Sequence, residues 1–168
     1  VLGVYLSGHP LEHFKDEIRA FTSGSIQKVL NFTDGARARI AGVVTAFKIS
    51  KRKDANAKST GILTLQDTSA EIKVIAYSEV LEKYISVLDK DEILWVEGTL
   101  KSDDESKILI AEKFMHLTQT RKKLCQEVHI KFPADIERKR LETLRTILRR
   151  HRGDKPTTLH IQTPEKTY

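Results

Sequence analysis

The sequence predicts a mainly β chain with some helix. The expected architecture is a five-stranded barrel flanked by an N-terminal helix and a C-terminal βαβ-like partial domain. Three observations lead there. Five apolar, β-branched runs fall between Arg37 and Leu117, separated by turns rich in Asp, Ser and Lys. One helical pattern, Ser78 to Leu88, sits between the third and fourth runs. The first run carries Gly42 where a strand must bend or bulge for a small sheet to close.

In chain order, Pro10 suits the first turn of a helix, where its missing N–H costs nothing. Leu11, Phe14, Ile18 and Phe21 then share one helical face. Thr22 to Gly35 is polar and glycine-bearing, and reads as a linker. The strand runs are Arg37–Ile49, Gly61–Gln66, Glu71–Tyr77, Glu92–Lys101 and Lys107–Leu117. In the third, Ile72, Val74 and Ala76 alternate with Lys73, Ile75 and Tyr77. In the intervening helix, Val80, Leu81, Tyr84 and Leu88 form the apolar side. Five strands with a helix between the third and fourth is the order of an OB-fold.

After Gln119 the pattern changes. "EVHIKF" is a short strand, and Asp135 is positioned to cap a helix reaching about His151, with Ile136, Leu141, Leu144, Ile147 and Leu148 inward. Gly153 is expected to end that helix before a last strand. The expected domains are residues 1–35 (helix and linker), 36–118 (barrel) and 119–168 (start of an α/β domain).

Composition narrows the function. Hydrophobic residues are 39% and charged residues 31%, as in a water-soluble globular chain, with no apolar run long enough for a membrane span and no signal peptide. A chain that opens on Val1 rather than Met reads as a piece of something longer. Cys125 is the only cysteine, which rules out an internal disulfide and a Cys-based zinc site and fits a reducing cytosol. The net charge of +6 is unevenly spread. Arg121–Lys155 holds twelve Lys/Arg against five Asp/Glu, whereas Ser78–Ser106 holds three against nine. Positive charge also gathers between the first two strands, where Lys48, Lys51, Arg52, Lys53 and Lys58 face one acid, Asp54. Such a loop is either a solvated tip or a surface for something anionic.

Three stretches carry a resemblance to a known family. "LGVYLSGHPLEHF", the run from Ile40 to Leu100, and "LRTILRRHRGDKPTTLHI" resemble the alpha subunit of bacterial replicative DNA polymerase III, and together they cover nearly the whole chain. "YLSGHPL" is the most specific, and it argues against an RNA-binding OB domain of the tRNA-synthetase kind. The resemblance implies an OB domain lying after the polymerase active site, near single-stranded template, followed by the opening of a domain that contacts the clamp-loader tau subunit. It implies a cytoplasmic parent that is a magnesium-dependent DNA-directed nucleotidyltransferase, with its metal-binding aspartates upstream. For this piece the expectation is therefore no catalytic residue, no metal ligand and no cofactor. Two loops depart from the family pattern. "SKRKDANAKSTG" replaces a shorter Lys-Gly-Lys turn, and "SDDES" puts three acids where an OB domain commonly grips a strand.

The expected ligand is single-stranded DNA, held by Lys48, Lys51, Arg52, Lys53 and Lys58, with Phe47 and Tyr77 as candidate stacking faces. Trp95 is expected in the core, since an indole buries much apolar area. Arg138, Arg145, Arg149 and Arg152 form a stripe that reads as the solvated side of a helix. Gln27–Phe32, "QKVLNF", fits Q-x-x-L-x-F and looks like a sliding-clamp-binding peptide, provided it is exposed and extended. His9 and His13 read as structural. The competing expectation is a protein-interaction module docking other replisome subunits, tau or the sliding clamp.

Overall fold

The computed structural model describes residues 9–50, 59–102 and 106–162. The chain forms two compact units, Val1–Lys123 and Leu124–Tyr168. In the first, β1 (Arg37–Ser50), β2 (Thr60–Gln66), β3 (Glu71–Ala76), β4 (Ile93–Ser102) and β5 (Lys107–His116) close into a barrel in the order β1-β2-β3-β5-β4. The β3–β5 pairing is parallel and the other four are antiparallel. This is the expected five-stranded OB barrel. Alternate residues of each strand fill it, with Ile40, Val44, Leu65, Val74, Val96 and Leu109 all fully buried.

The close approach of β1 to β2 requires a glycine at position 42. A Cβ there would lie 2.6 Å from the Gln66 carbonyl oxygen and 2.9 Å from Leu65 Cγ. The bulge expected at Gly42 falls slightly later, at Thr45, where the register shifts between Val44 and Ala46. This one-residue slip changes which side chains face in. Before it, Ala38, Ile40 and Val44 point into the barrel; after it, Phe47 does, packed against the core. A second irregularity sits opposite Gly98, where a Cβ would collide with the Ile110 carbonyl.

Three helices dress the barrel. A 3-10 turn, Pro10–Phe14, leads into α1 (Lys15–Phe21). His9 Nδ1 accepts the Leu11 N–H at 3.2 Å, in keeping with a structural role. Trp95 is 1% exposed, as expected of a core residue, but it lies on the outward side of β4. Its Nε1 donates to the Phe21 carbonyl at 2.8 Å, which ties α1 to the barrel. Between β3 and β4 runs α3 (Ser78–Tyr84), where Leu81 is buried and Tyr84 meets Phe114 edge-on at 5.8 Å.

The stretch expected to be a linker contains a helix, α2 (Ile26–Leu30). Ser25 Oγ accepts the Lys28 N–H, and Asp67 Oδ2 accepts the Ile26 N–H at 2.7 Å. Ile26 and Val29 are fully buried against the barrel core. "QKVLNF" is therefore neither extended nor free, because Leu30 and Phe32 also pack on the core. The geometry a clamp-binding peptide needs is absent.

Past β5, α4 (Thr120–Leu124) brings Arg121 Nε to 2.7 Å from Glu17 Oε1 on α1. In the second unit, β6 (Val128–Pro133) pairs in parallel with β7 (Thr157–Gln162) through α5 (Arg138–Arg150). Asp135 does not cap α5. The Ile136 N–H is held in a turn by the Pro133 carbonyl, so the ladder begins later, at the Glu137 carbonyl. The helix ends at Arg150, ahead of Gly153, and Ile147, expected inward, is 50% exposed. Arg138 pairs with Glu142 at 3.3 Å and Arg152 lies beyond the helix, so the arginine stripe is shorter than expected.

Candidate nucleic-acid interface

Strand register defines two rows on the outside of the barrel. One runs Lys48, Ile62, Ile75, Ile110 and Thr99 across β1, β2, β3, β5 and β4. The next runs Ala46, Thr64, Lys73, Ile108 and Lys101 across the same strands. Each isoleucine is an outward alternate of an inward core residue, yet all four are only half-buried. Lys48, Lys73 and Lys101 are exposed at the margins, with no carboxylate partner among the described residues. An apolar strip bordered by free ammonium groups can receive flat base faces while the lysines reach a phosphate chain.

The opposite flank of the barrel is different. There Glu97, 8% exposed, receives Arg37 Nη2 at 3.1 Å and Arg39 Nε at 3.2 Å, with Lys113 Nζ at 4.0 Å. Arg37 also holds Glu112 at 2.7 Å. The cations named on this flank, Arg37, Arg39 and Lys113, are thus engaged with carboxylates.

The residues expected to bind divide three ways. Lys48 lies on the outer face, sent there by the bulge at Thr45. Tyr77, 55% exposed, follows β3 directly at the start of α3. Phe47 is turned inward and half-buried, so the structure withdraws it as a stacking platform. Lys51, Arg52, Lys53 and Lys58 lie outside the described residues. The isoleucine strip was not singled out from the sequence. Its signal was present in "TGILTLQ", "EIKVIA" and "KILIA", whose alternation leaves an isoleucine on the outer face of each strand.

Among the described residues, no three His, Cys, Asp or Glu side chains are gathered to hold a metal ion. His129 and His160 meet nitrogen to nitrogen at 2.7 Å with ring centroids 5.0 Å apart. That is a head-on N–H···N bond, which leaves no shared point for an ion. No helix among the described residues is long and apolar enough to cross a membrane.

Comparison with known proteins bears on the barrel and on the chain as a whole. Residues 38–117 match the OB-fold nucleic acid binding domain family. Over 168 residues the chain is 31% identical to DNA polymerase III subunit alpha of Vibrio cholerae, covering 98% of this chain and 14% of that protein. With the same subunit of Escherichia coli K12 it shares 34% identity over 166 residues, covering 96% of this chain and 14% of the relative. Among solved structures, the SSB domain of a Synechococcus protein aligns with a TM-score of 0.42 at 18% identity, over 51% of this chain and 98% of that one. The chain thus spans about one seventh of the curated relatives it matches, at 14% of their length. From the barrel order, the matched domain and near-complete coverage by these relatives, the chain belongs to the DNA polymerase III alpha-subunit family, as a segment built around an OB-fold nucleic acid binding domain.

Proposed function

We propose that this segment is a non-catalytic single-stranded DNA-binding module of a cytoplasmic replicative polymerase, holding template through the outer face of β2 and β3. The observation that carries it is the half-buried strip Ile62–Ile75–Ile110, bordered by Lys48, Lys73 and Lys101, which have no carboxylate partner among the described residues. Phosphates meet the lysines, bases lie on the isoleucines and Tyr77, and no base edge is read. Lys51, Arg52, Lys53 and Lys58, between β1 and β2 in sequence, are assigned to the same ligand by their charge. Magnesium-dependent nucleotidyl transfer belongs to the parent subunit, and no residue of this chain is assigned to it. Docking of tau is assigned to the second unit.

A titration with fluorescein-labelled oligo(dT), set against a duplex of equal length, tests the reading. Binding is expected to favour the single strand and to fall on substitution of Ile75→Asp, an outward side chain whose change leaves the barrel interior intact. Equal affinity for duplex, or unchanged binding by Ile75→Asp, overturns the assignment of this face.

A further inference from the structure

A cleft of about 670 Å³ opens between α1, the turn before α2, the middle of β1 and the turn after β2, and none of the strip residues lines it. Its floor is aliphatic, formed by Leu11, Ile18 and Ala41. Its rim carries Lys15 and Arg19 from α1 and Lys28 from α2. The Lys28 stem lies over Gly24, at the mouth, with Cδ only 2.7 Å from where a Cβ on that glycine would stand. Two carboxylates also line the cleft, and both are engaged. Glu12 pairs with Lys15 at 3.4 Å. Asp67 accepts the Ile26, Ser69 and Ala70 N–H groups and the Ser69 hydroxyl. Arg19 and Lys28, on the two walls, have no carboxylate partner among the described residues.

We infer that this cleft is a docking site for an acidic–aliphatic peptide segment of another protein, distinct from the nucleic-acid face. An aliphatic side chain enters between Leu11, Ile18 and Ala41, while flanking carboxylates meet Arg19 and Lys28. A nucleic-acid strand fits less well. Glu12 and Asp67 would stand against a chain charged at every nucleotide. A peptide can set its own acids against Arg19 and Lys28 and place uncharged residues beside Glu12 and Asp67.

The test uses the whole chain and a fluorescein-labelled decapeptide alternating Asp and Leu, followed by anisotropy. This probe is expected to bind more tightly than decapeptides alternating Asp with Ser or Lys with Leu. Arg19→Ala with Lys28→Ala, both exposed and remote from the barrel core, is expected to weaken it about tenfold, the sum of two exposed ion pairs. Amide shifts on binding are expected at Ser23, Gly24 and Ser25. Equal binding of all three peptides, or none, overturns the inference. So does binding that appears only after removal of residues 1–8, which would make that segment the occupant. Loss of oligo(dT) binding by the double variant would make the cleft a nucleic-acid site instead. Loss of oligo(dT) binding by Ile75→Asp with peptide binding intact separates the two faces.

Discussion

Replacing Lys48, Lys73 and Lys101 together with alanine reads the outer face of β2 and β3 directly. The three ammonium groups are exposed and unpaired among the described residues, so their loss should cost the fold at most about 0.5 kcal/mol each. Each phosphate contact to a single strand contributes about 0.7 to the slope of log affinity against log salt. Removing three such contacts should flatten that slope by about 2.1. Raising salt from about 50 to 200 mM should therefore weaken the wild-type chain about 18-fold more than the variant. Anisotropy with labelled oligo(dT) at four or more salt concentrations measures both slopes, and thermal melts of the two proteins exclude unfolding as the cause. The control replaces Arg145, Arg149 and Arg152, in and just after α5. A variant slope equal to that of the wild type, or a flattened slope in the control alone, refutes the placement of the DNA on this face.

Other consequences are as specific. Gly98→Ala forces a Cβ into the Ile110 carbonyl and should cost about 2 kcal/mol or more, lowering the melting temperature by about 4–8 °C; an unchanged melt would mean that β4 and β5 can separate there freely. Ile26→Ala empties a fully buried position on α2 and should cost about 2–5 kcal/mol in urea unfolding, whereas a loss below that range would mean α2 is a loose appendage. Burial opposes the charge of Asp67, but hydrogen bonds from Ile26, Ser69 and Ala70 outweigh it and hold the carboxyl below its usual value. Its stabilisation is thus complete above the unfolded value of about 3.9 and is lost as pH falls through the lower folded value, so Asp67→Asn should lessen acid destabilisation, measured by urea melts at several pH values. Lys51→Ala, Arg52→Ala and Lys53→Ala together should weaken oligo(dT) and oligo(dA) equally, since phosphate contacts carry no base information, and a loss confined to one sequence would contradict that.

Much of the barrel was legible because a period of two is dense information: six residues such as Glu71–Ala76 declare both faces. The helix between β3 and β4 was legible from its apolar side. α2 was not, because five residues cannot display a 3.6-residue period. It is helical for reasons remote in sequence, chiefly the Asp67 carboxylate 41 residues away on its first N–H. The site failed at one point for a similar reason. Simple alternation from Val44 sends Phe47 outward and Lys48 inward, and the extra residue at Thr45 exchanges them. No local signal marks that slip, since it answers the register of the whole barrel. Trp95 was rightly read as buried, but what buries it is α1, packed on the outside of β4.

The bond between Glu17 and Arg121 has a mechanical meaning. It joins the helix just before the barrel to the helix just after it, at 2.7 Å, with one Glu17 oxygen wholly shielded from solvent. It ties the segment that enters the barrel to the segment that leaves it. The Trp95–Phe21 bond braces the same point. Peeling α1 from the barrel must open both bonds, so the segments that enter and leave the five strands come loose together.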